Sequence, residues 1–484
     1  MLSAIETTRV PDPAAAAYTR ARRAHWDQVG RESTDRGWGG YYHRRLTQVV
    51  CRHVAPGQSV LEVGCGGGDL LAAVRPRLGV GIDFSASMLA QARARHPHLR
   101  FVQADAHSLP LSDRFDVIIL SDLVNDLWDV QRVFEQLRPL CRANTRLILN
   151  FHSHLWQQPL DAAKTLGIAR PTLEQNWLTV DDAAHLLRLS DFEVLWTRAE
   201  VLWPFATPLV APLANRVLVR LWPFNRIALT HVVVARPNLA SEELADPRVS
   251  VVVAARNEAG NIERLFQELP EMGREMEIVF VEGHSSDQTY EAIERAIAAH
   301  PERRCKLFRQ RGKGKGDAVR LGFDEASGDV LMILDADLTV PPADLPRFLE
   351  ALRSGKAEFV NGVRLVYPME GEAMRFFNVI GNKFFSLAFS WLLEQPIKDT
   401  LCGTKVMSKK NYERLTANRG QFGDFDPYGD YDLLFGAAAL NLRIVDLPVR
   451  YRQRTYGAPN IQRWRDGVLL LRMCLFAARR IKFT

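Results

Sequence analysis

The stretch VLMILDADLTV, Val330 to Val340, constrains the fold more than any other part of the chain. An unbroken apolar run enters Asp335-Ala336-Asp337, the pattern of a strand buried on both faces that presents two carboxylates at its exit. Carboxylates flanking one small residue suit a hard divalent cation, which takes oxygen ligands and leaves its other positions to substrate phosphates. The same aspartates also read as caps at a strand-to-helix loop, because Thr339, Pro341 and Pro342 announce a helix start. The surrounding sequence decides between these readings.

A chain of 484 residues exceeds one hydrophobic core and implies two domains. The formal net charge of +6 comes from dispersed basic residues among plentiful Asp and Glu. That pattern ranks nucleotide diphosphates and phospholipid headgroups ahead of nucleic acid, and no nucleic-acid partner is expected. Cys51, Cys65, Cys141, Cys305, Cys402 and Cys474 show no paired spacing, which points to a reducing cytosol and away from a zinc module. No signal-peptide pattern opens the chain, and no apolar run reaches the ~20 residues needed to span a bilayer.

In the first half, SVLEVGCGGGDLL carries a β-branched strand straight into a glycine turn and a helix. Such a turn lets a ligand lie against the backbone at a helix N-terminus. GVGIDFS is a second strand ending in Asp83, placed to accept both hydroxyls of a ribose. LRFVQADA ends in Asp105, and FDVIILSD begins a fourth strand at Phe115. Alternating strands and helices predict a doubly wound parallel sheet whose strand ends form one crevice. An NAD site is the competing reading of the glycine turn, disfavoured by its Glu-x-Gly-x-Gly-x-Gly form and by the early Asp105.

These residues resemble a class I S-adenosylmethionine-dependent methyltransferase over roughly residues 45 to 235, within a domain taken as 1–235. The resemblance implies cofactor contacts from Glu62, Gly64, Gly66 and Gly68, with Gly64 and Gly66 on the amino-acid part. It assigns Asp83 to the ribose and Asp105 with Ala106 to the adenine, with Phe84 and Ser121 beside them. Asn125, Asp126 and Trp128 either face the methyl acceptor or serve as caps and packing. His152 and His154 follow the strand LILNF and read as acceptor contacts or a general base rather than metal ligands. Leu202 to Val234 is unusually apolar, with WPF twice, and reads as a lid, a surface for a partner or lipid, or packing between domains.

A polar, proline-bearing linker covers 236–248. A fresh strand, VSVVVAARNEAG, then opens the domain taken as 249–484. EIVFVEGHSSD ends a second strand at Glu282, and the Gly-Lys alternation from Gly312 to Gly316 suits a pyrophosphate, with Lys313 and Lys315 supplying charge.

Together with Asp335 and Asp337, these units resemble the family 2 glycosyltransferases of GT-A fold, especially the dolichyl-phosphate sugar synthases, from Val249 to about Arg465. The resemblance places Ala255, Arg256, Glu258, Glu282, Lys315, Asp335 and Asp337 on a nucleotide-sugar donor. It also places Asp335 and Asp337 on Mg2+ or Mn2+, with Asp337 the direct ligand. The chain departs from the family at Glu282-Gly283, where two aspartates are usual, and this bears on base recognition. Asp430 falls where many members keep a catalytic base, and Asp337 and Asp399 are catalytic candidates with it; Asp432 begins the adjoining helix, and Asp399 either orients the Cys402-Gly403 loop or caps a turn. Arg450, Arg452, Arg454, Arg463 and Arg465 precede VLLLRMCLFAARRIKF, which reads as an amphipathic interfacial helix.

The whole therefore reads as two doubly wound α/β domains, a methyltransferase fused to a metal-dependent inverting glycosyltransferase. The expected ligands are S-adenosylmethionine, a divalent metal, a nucleotide-sugar and a lipid-linked or glycan acceptor. The expected place is the cytoplasm, with peripheral contact at the inner face of the cell membrane. A glycosyltransferase carrying a non-catalytic cofactor-binding scaffold is the alternative.

Overall fold

Runs of Val, Ile and Leu that lack polar alternation must be covered on both faces, and the fold meets this demand twice. The computed structural model describes residues 13–32, 39–166, 173–364, 366, 376–417, 429–456 and 463–483. It divides into two compact units, Met1–Asn238 and Leu239–Thr484.

In the first unit, strands β1 (Ser59–Val63), β2 (Leu78–Asp83), β3 (Arg100–Gln103), β4 (Phe115–Leu120), β5 (Cys141–His152), β6 (Phe192–Val201) and β7 (Thr230–Pro237) form one sheet, ordered β3-β2-β1-β4-β5-β7-β6. The pairs among β1 to β5 are parallel, whereas β7 runs antiparallel to both β5 and β6. The expected all-parallel sheet is thus mixed at its β7-β6 end: β6 and β7 are consecutive strands lying side by side, which return on each other. β7 also extends through Pro237, two residues into the stretch read as linker.

In the second unit, β8 (Arg248–Ala255), β9 (Glu275–Glu282), β10 (Arg304–Arg309), β11 (Val330–Asp335), β12 (Phe359–Val363), β13 (Lys405–Ser408) and β14 (Ile444–Pro448) are ordered β10-β9-β8-β11-β13-β12-β14. β10, β9, β8 and β11 are parallel, and β13 runs antiparallel to β11 and β12. Side chains alternate strictly between two cores. Val251, Val253, Met332 and Leu334 pack in one, while Val252, Leu331 and Ile333 pack in the other. Both sheets therefore expose their parallel carboxyl ends, where ligands of open α/β sheets bind.

The last helix, Arg463–Ala477, buries Leu470, Met473 and Ala477 against the second core and exposes Leu471 and Leu475. Its inner face is thus part of the domain core. Among the described residues no helix is long and apolar enough to cross a membrane.

Candidate active sites

In the first unit the strand exits assemble the expected cofactor residues. Gly64, Gly66 and Gly68 follow β1 with φ of 75°, 48° and 77°, a region that side chains disfavour. A Cβ at Gly64 would lie 2.9 Å from Leu123, whereas the space beside Gly66 is open. Asp83 ends β2, buried, its Oδ2 accepting the Gly66 N–H at 2.9 Å and its Oδ1 the Ser85 N–H at 2.8 Å. Glu62 is buried behind the turn and accepts the Leu71 N–H at 3.0 Å. Burial pushes the pKa of both carboxyls up, that of Glu62 to about 8. A cationic ligand would favour their ionised forms.

After β3, Asp105 Oδ1 accepts from the His107 backbone N–H at 2.9 Å and from His107 Nδ1 at 2.7 Å. That side-chain bond holds its carboxyl below the usual range. His107 Nε2 accepts the Asp129 N–H, which fixes the proton on Nδ1. Phe84, Ala106 and Ser121 sit half-buried at the exits of β2, β3 and β4.

Sequence reasoning missed two parts of this site. Helix Pro13–Glu32 sends Asp27 Oδ1 to the Ser85 hydroxyl at 2.6 Å and Trp26 Nε1 to Asp126 at 3.0 Å. Beside β4, Asp122 holds φ 53° and gathers distant residues. Its Oδ1 accepts from the Tyr42 hydroxyl at 2.7 Å and from Asn150 Nδ2 at 2.5 Å. Thr230 donates to the Tyr42 oxygen at 3.1 Å, and His152 Nε2 stands 3.1 Å from it. Since the tyrosine proton is on Asp122, this contact requires Nε2–H on His152, leaving buried Nδ1 as an unpaired acceptor. Burial lowers the His152 pKa and keeps the ring neutral.

Of the other acceptor candidates, Asn125 is buried and structural, bonding the His152 N–H and the Asn176 carbonyl. Asp126 is taken by Trp26, Trp128 lies edge-on to Tyr18, and His154 is exposed. Among the described residues no group of three His, Cys, Asp or Glu could hold a metal ion.

In the second unit, Asp335 ends β11 with its Oδ1 2.5 Å from Lys315 Nζ. Burial works to raise its pKa, and the Lys315 charge overrides this and holds the carboxyl below its ordinary value. Lys315 opens helix Lys315–Glu325, and the preceding Gly312 N–H donates to Asp317. Asp337 Oδ1 accepts from the Thr339 N–H and hydroxyl, the turn-capping role, while Oδ2 lies 2.6 Å from Arg454 Nη2. Arg454 Nη1 reaches Glu258 Oε1 at 2.8 Å, and burial raises the Glu258 pKa. Each aspartate of the Asp335-Ala336-Asp337 turn thus faces a basic side chain, and the two are hard oxygen donors of the kind that hold a divalent cation together with substrate phosphates.

Glu282, at the end of β9, accepts the Ser285 N–H at 2.5 Å, and Ala255 O accepts the Gly283 N–H at 2.9 Å. Arg256 is exposed beside them. A Cβ at Gly283 would lie 3.1 Å from Gln310 Oε1, so Gln310 fills space that an aspartate there would claim. A Cβ at Gly403 would lie 2.1 Å from both Asp335 Oδ2 and Lys315 Nζ, so the Cys402-Gly403 loop closes directly on the pair.

Asp399, a catalytic candidate in the sequence, is committed to structural bonds. It is fully buried, with Arg364 Nε at 2.7 Å and Nη2 at 2.9 Å, Asn382 Nδ2 at 2.8 Å and the Leu401 N–H at 3.0 Å. Burial opposes its ionisation, Arg364 overcomes that, and its carboxylate is fully engaged in positioning the 399–403 loop. Asp430 begins helix Asp430–Ala439, but its side chain lies outside the described residues, as do those of Arg463 and Arg465. A Cβ on adjoining Gly429 would lie 2.8 Å from Gly316 Cα, next to Lys315. Asp432 is buried. The arginines expected to act together divide, with Arg452 2.8 Å from Glu268, Arg454 in the carboxylate cluster and Arg450 exposed.

Comparison with known proteins agrees with this division. Residues 60–144 match the family model of a methyltransferase domain, and residues 250–415 match glycosyl transferase family 2. A dolichol-phosphate mannosyltransferase of Pyrococcus furiosus is 32% identical over 175 residues, 35% of this chain and 49% of that protein. A low-salt glycan biosynthesis hexosyltransferase of Haloferax volcanii is 27% identical, over 50% of this chain and 56% of that one. An undecaprenyl-phosphate 4-deoxy-4-formamido-L-arabinose transferase of Edwardsiella ictaluri is 34% identical, over 22% and 34% respectively. The chain spans about half, or less, of the length of these relatives. A solved S-adenosylmethionine-dependent methyltransferase of Mesorhizobium loti is 20% identical with a TM-score of 0.33, covering 41% of this chain and 100% of its own. The chain joins a methyltransferase domain to a family 2 glycosyltransferase domain.

Proposed function

We propose that the second domain transfers a sugar from a nucleotide diphosphate to a polyprenyl phosphate, with inversion, and that the first methylates a separate acceptor from S-adenosylmethionine. The Lys315–Asp335 pair at the exit of β11, with Arg454 reaching both Asp337 and Glu258 beside it, carries the sugar-transfer reading. Mg2+ or Mn2+ would be held by Asp337 and Asp335 and would supply charge to stabilise the departing diphosphate. Lys315 and Arg454 are at hand for phosphate oxygens, and the lack of a Cβ at Gly403 lets its loop lie against the Asp335–Lys315 pair.

Relatives named for dolichol phosphate and undecaprenyl phosphate support a lipid-phosphate acceptor. So do Phe384, Leu387 and Trp391 on helix Phe376–Leu393 and Leu471 and Leu475 on the last helix, all exposed on helices that pack together. This apolar face fits peripheral contact with the inner face of the cell membrane. A phosphate acceptor is already anionic at neutral pH, so Asp430 acts less as a base than it would toward a hydroxyl.

In the methyltransferase domain the protein's contribution is alignment and desolvation, because the sulfonium is already a good leaving group. Tyr42, Asp122 and His152 form the polar wall nearest the acceptor side. Incubating the full chain with a nucleotide-sugar panel, Mg2+ or Mn2+ and polyprenyl phosphate, followed by mass spectrometry, tests the reading. A lipid carrying one added sugar, absent with Asp337→Ala, is expected. Transfer only to soluble glycans would overturn the choice of acceptor.

A further inference from the structure

The stretch between β6 and β7 is tied down by buried polar groups: Glu200, near the end of β6, is bound by Arg220 Nη2 at 2.8 Å on both oxygens and by Arg45 at 3.2 Å. Asn215, also buried, accepts the Leu202 and Trp203 N–H groups at 2.8 Å and donates to the Trp203 carbonyl at 2.6 Å. These bonds fix the backbone of an irregular segment while its apolar side chains face out. Trp222 is 79% exposed, Leu209 86%, Leu213 54% and Ile227 52%. Of the twenty-two large hydrophobic side chains exposed among the described residues, nine lie between Trp203 and Ile227. Such a concentration marks a surface that meets an apolar phase.

The charge pattern selects the phase. Residues 202–229 contain no Asp, Glu or Lys, and two of their three arginines, Arg216 and Arg226, are exposed beside the apolar side chains. Exposed tryptophan and leucine flanked by arginine match the boundary between acyl chains and anionic headgroups. The segment is also rooted at the methyl-transfer crevice. Leu229 pairs with Val201 at 2.6 Å, and Thr230 donates to the Tyr42 hydroxyl that touches Asp122.

We propose that residues 202–229 form an interfacial anchor that seats the methyltransferase domain on an anionic lipid surface, with its crevice beside that surface. The anchor is separate from the apolar helices of the second domain, and it stands whether or not the sugar acceptor is a lipid. To isolate it, the full chain carrying Leu471→Glu and Leu475→Glu serves as background, and flotation uses vesicles of equal parts phosphatidylglycerol and phosphatidylcholine. Adding Leu209→Glu, Leu213→Glu and Ile227→Glu should weaken vesicle binding by about tenfold or more while S-adenosylmethionine affinity is kept. In the same background, quenching by brominated lipid should fall on Trp222→Phe. Unchanged flotation and quenching would overturn the proposal. So would loss of self-association in the triple variant, by light scattering without lipid, if the background chain does not bind vesicles; the face would then join two copies.

Discussion

Arg454 Nη2 lies 2.6 Å from Asp337 Oδ2, across 117 residues of sequence, and the same guanidinium reaches Glu258 at 2.8 Å. The carboxylate proposed to hold a divalent cation is thus already paired with a side chain of the protein. A cation held there would compete with the guanidinium, and Arg454 would then be free to meet the phosphates of the donor.

Arg454→Ala should accordingly tighten binding of Mn2+ alone by roughly fivefold, corresponding to about 1 kcal/mol for a partly exposed ion pair, and should slow sugar transfer. Titration followed by electron paramagnetic resonance measures the first effect. Weaker Mn2+ binding in the variant would show that the arginine supports the metal instead of competing with it.

Gly403→Ala tests the closure of the second site. Its Cβ would fall 2.1 Å from both Asp335 Oδ2 and Lys315 Nζ, so the ion pair must separate. Sugar transfer should drop by on the order of a hundredfold, as expected for loss of a positioned charge at the reacting diphosphate, with S-adenosylmethionine binding intact. Near-normal transfer would mean that the loop opens freely.

Asp399→Asn should act on stability. Removing the charge leaves Arg364 buried beside a neutral partner, a change that costs about 3–5 kcal/mol when one member of a buried pair is lost. Calorimetry should show the melting of one domain lowered and the other unmoved. A stable variant with transfer abolished would restore Asp399 to the chemistry.

Glu62 makes the first domain sensitive to pH. Burial pushes its folded pKa up to about 8 from an ordinary 4.5, so between these values the folded state holds a proton that the unfolded state has lost. Its contribution to stability is therefore greatest at low pH, declines as pH rises from about 4.5 to 8, and is flat above. Glu62→Gln keeps an acceptor for Leu71 and removes this dependence. It should gain at least ~1 kcal/mol relative to the unsubstituted chain between pH 5.5 and 8.5, each pKa unit being worth about 1.4 kcal/mol. Parallel melting curves at both pH values would contradict the assignment.

Much of this architecture is legible in local sequence, for a physical reason. Strand exits such as Val63-Gly64, Ile82-Asp83 and Leu334-Asp335 bring apolar run, turn and functional side chain within a few residues, so periodicity reveals them. What escapes is assembled across the chain. Tyr42, Asp122, Asn150 and Thr230 come from four segments that no spacing relates, and Arg364 meets Asp399 only because β12 leads to the same loop. Asp399 looks like a site residue in sequence because a buried, fully bonded aspartate and a catalytic one share the same letter. The antiparallel β7 escapes too, since a fully buried strand reads alike in either direction.

The central claim is that one chain holds two independently built transferase sites. Calorimetric titration of Asp337→Ala and Asp83→Ala chains with S-adenosylmethionine tests it most directly. Asp337→Ala should bind the cofactor as the unsubstituted chain does, and Asp83→Ala should lose at least ~1.5 kcal/mol of affinity, the lower range for a hydrogen bond to a charged group. Loss of cofactor binding in a folded Asp337→Ala chain, or its retention in Asp83→Ala, would contradict the account.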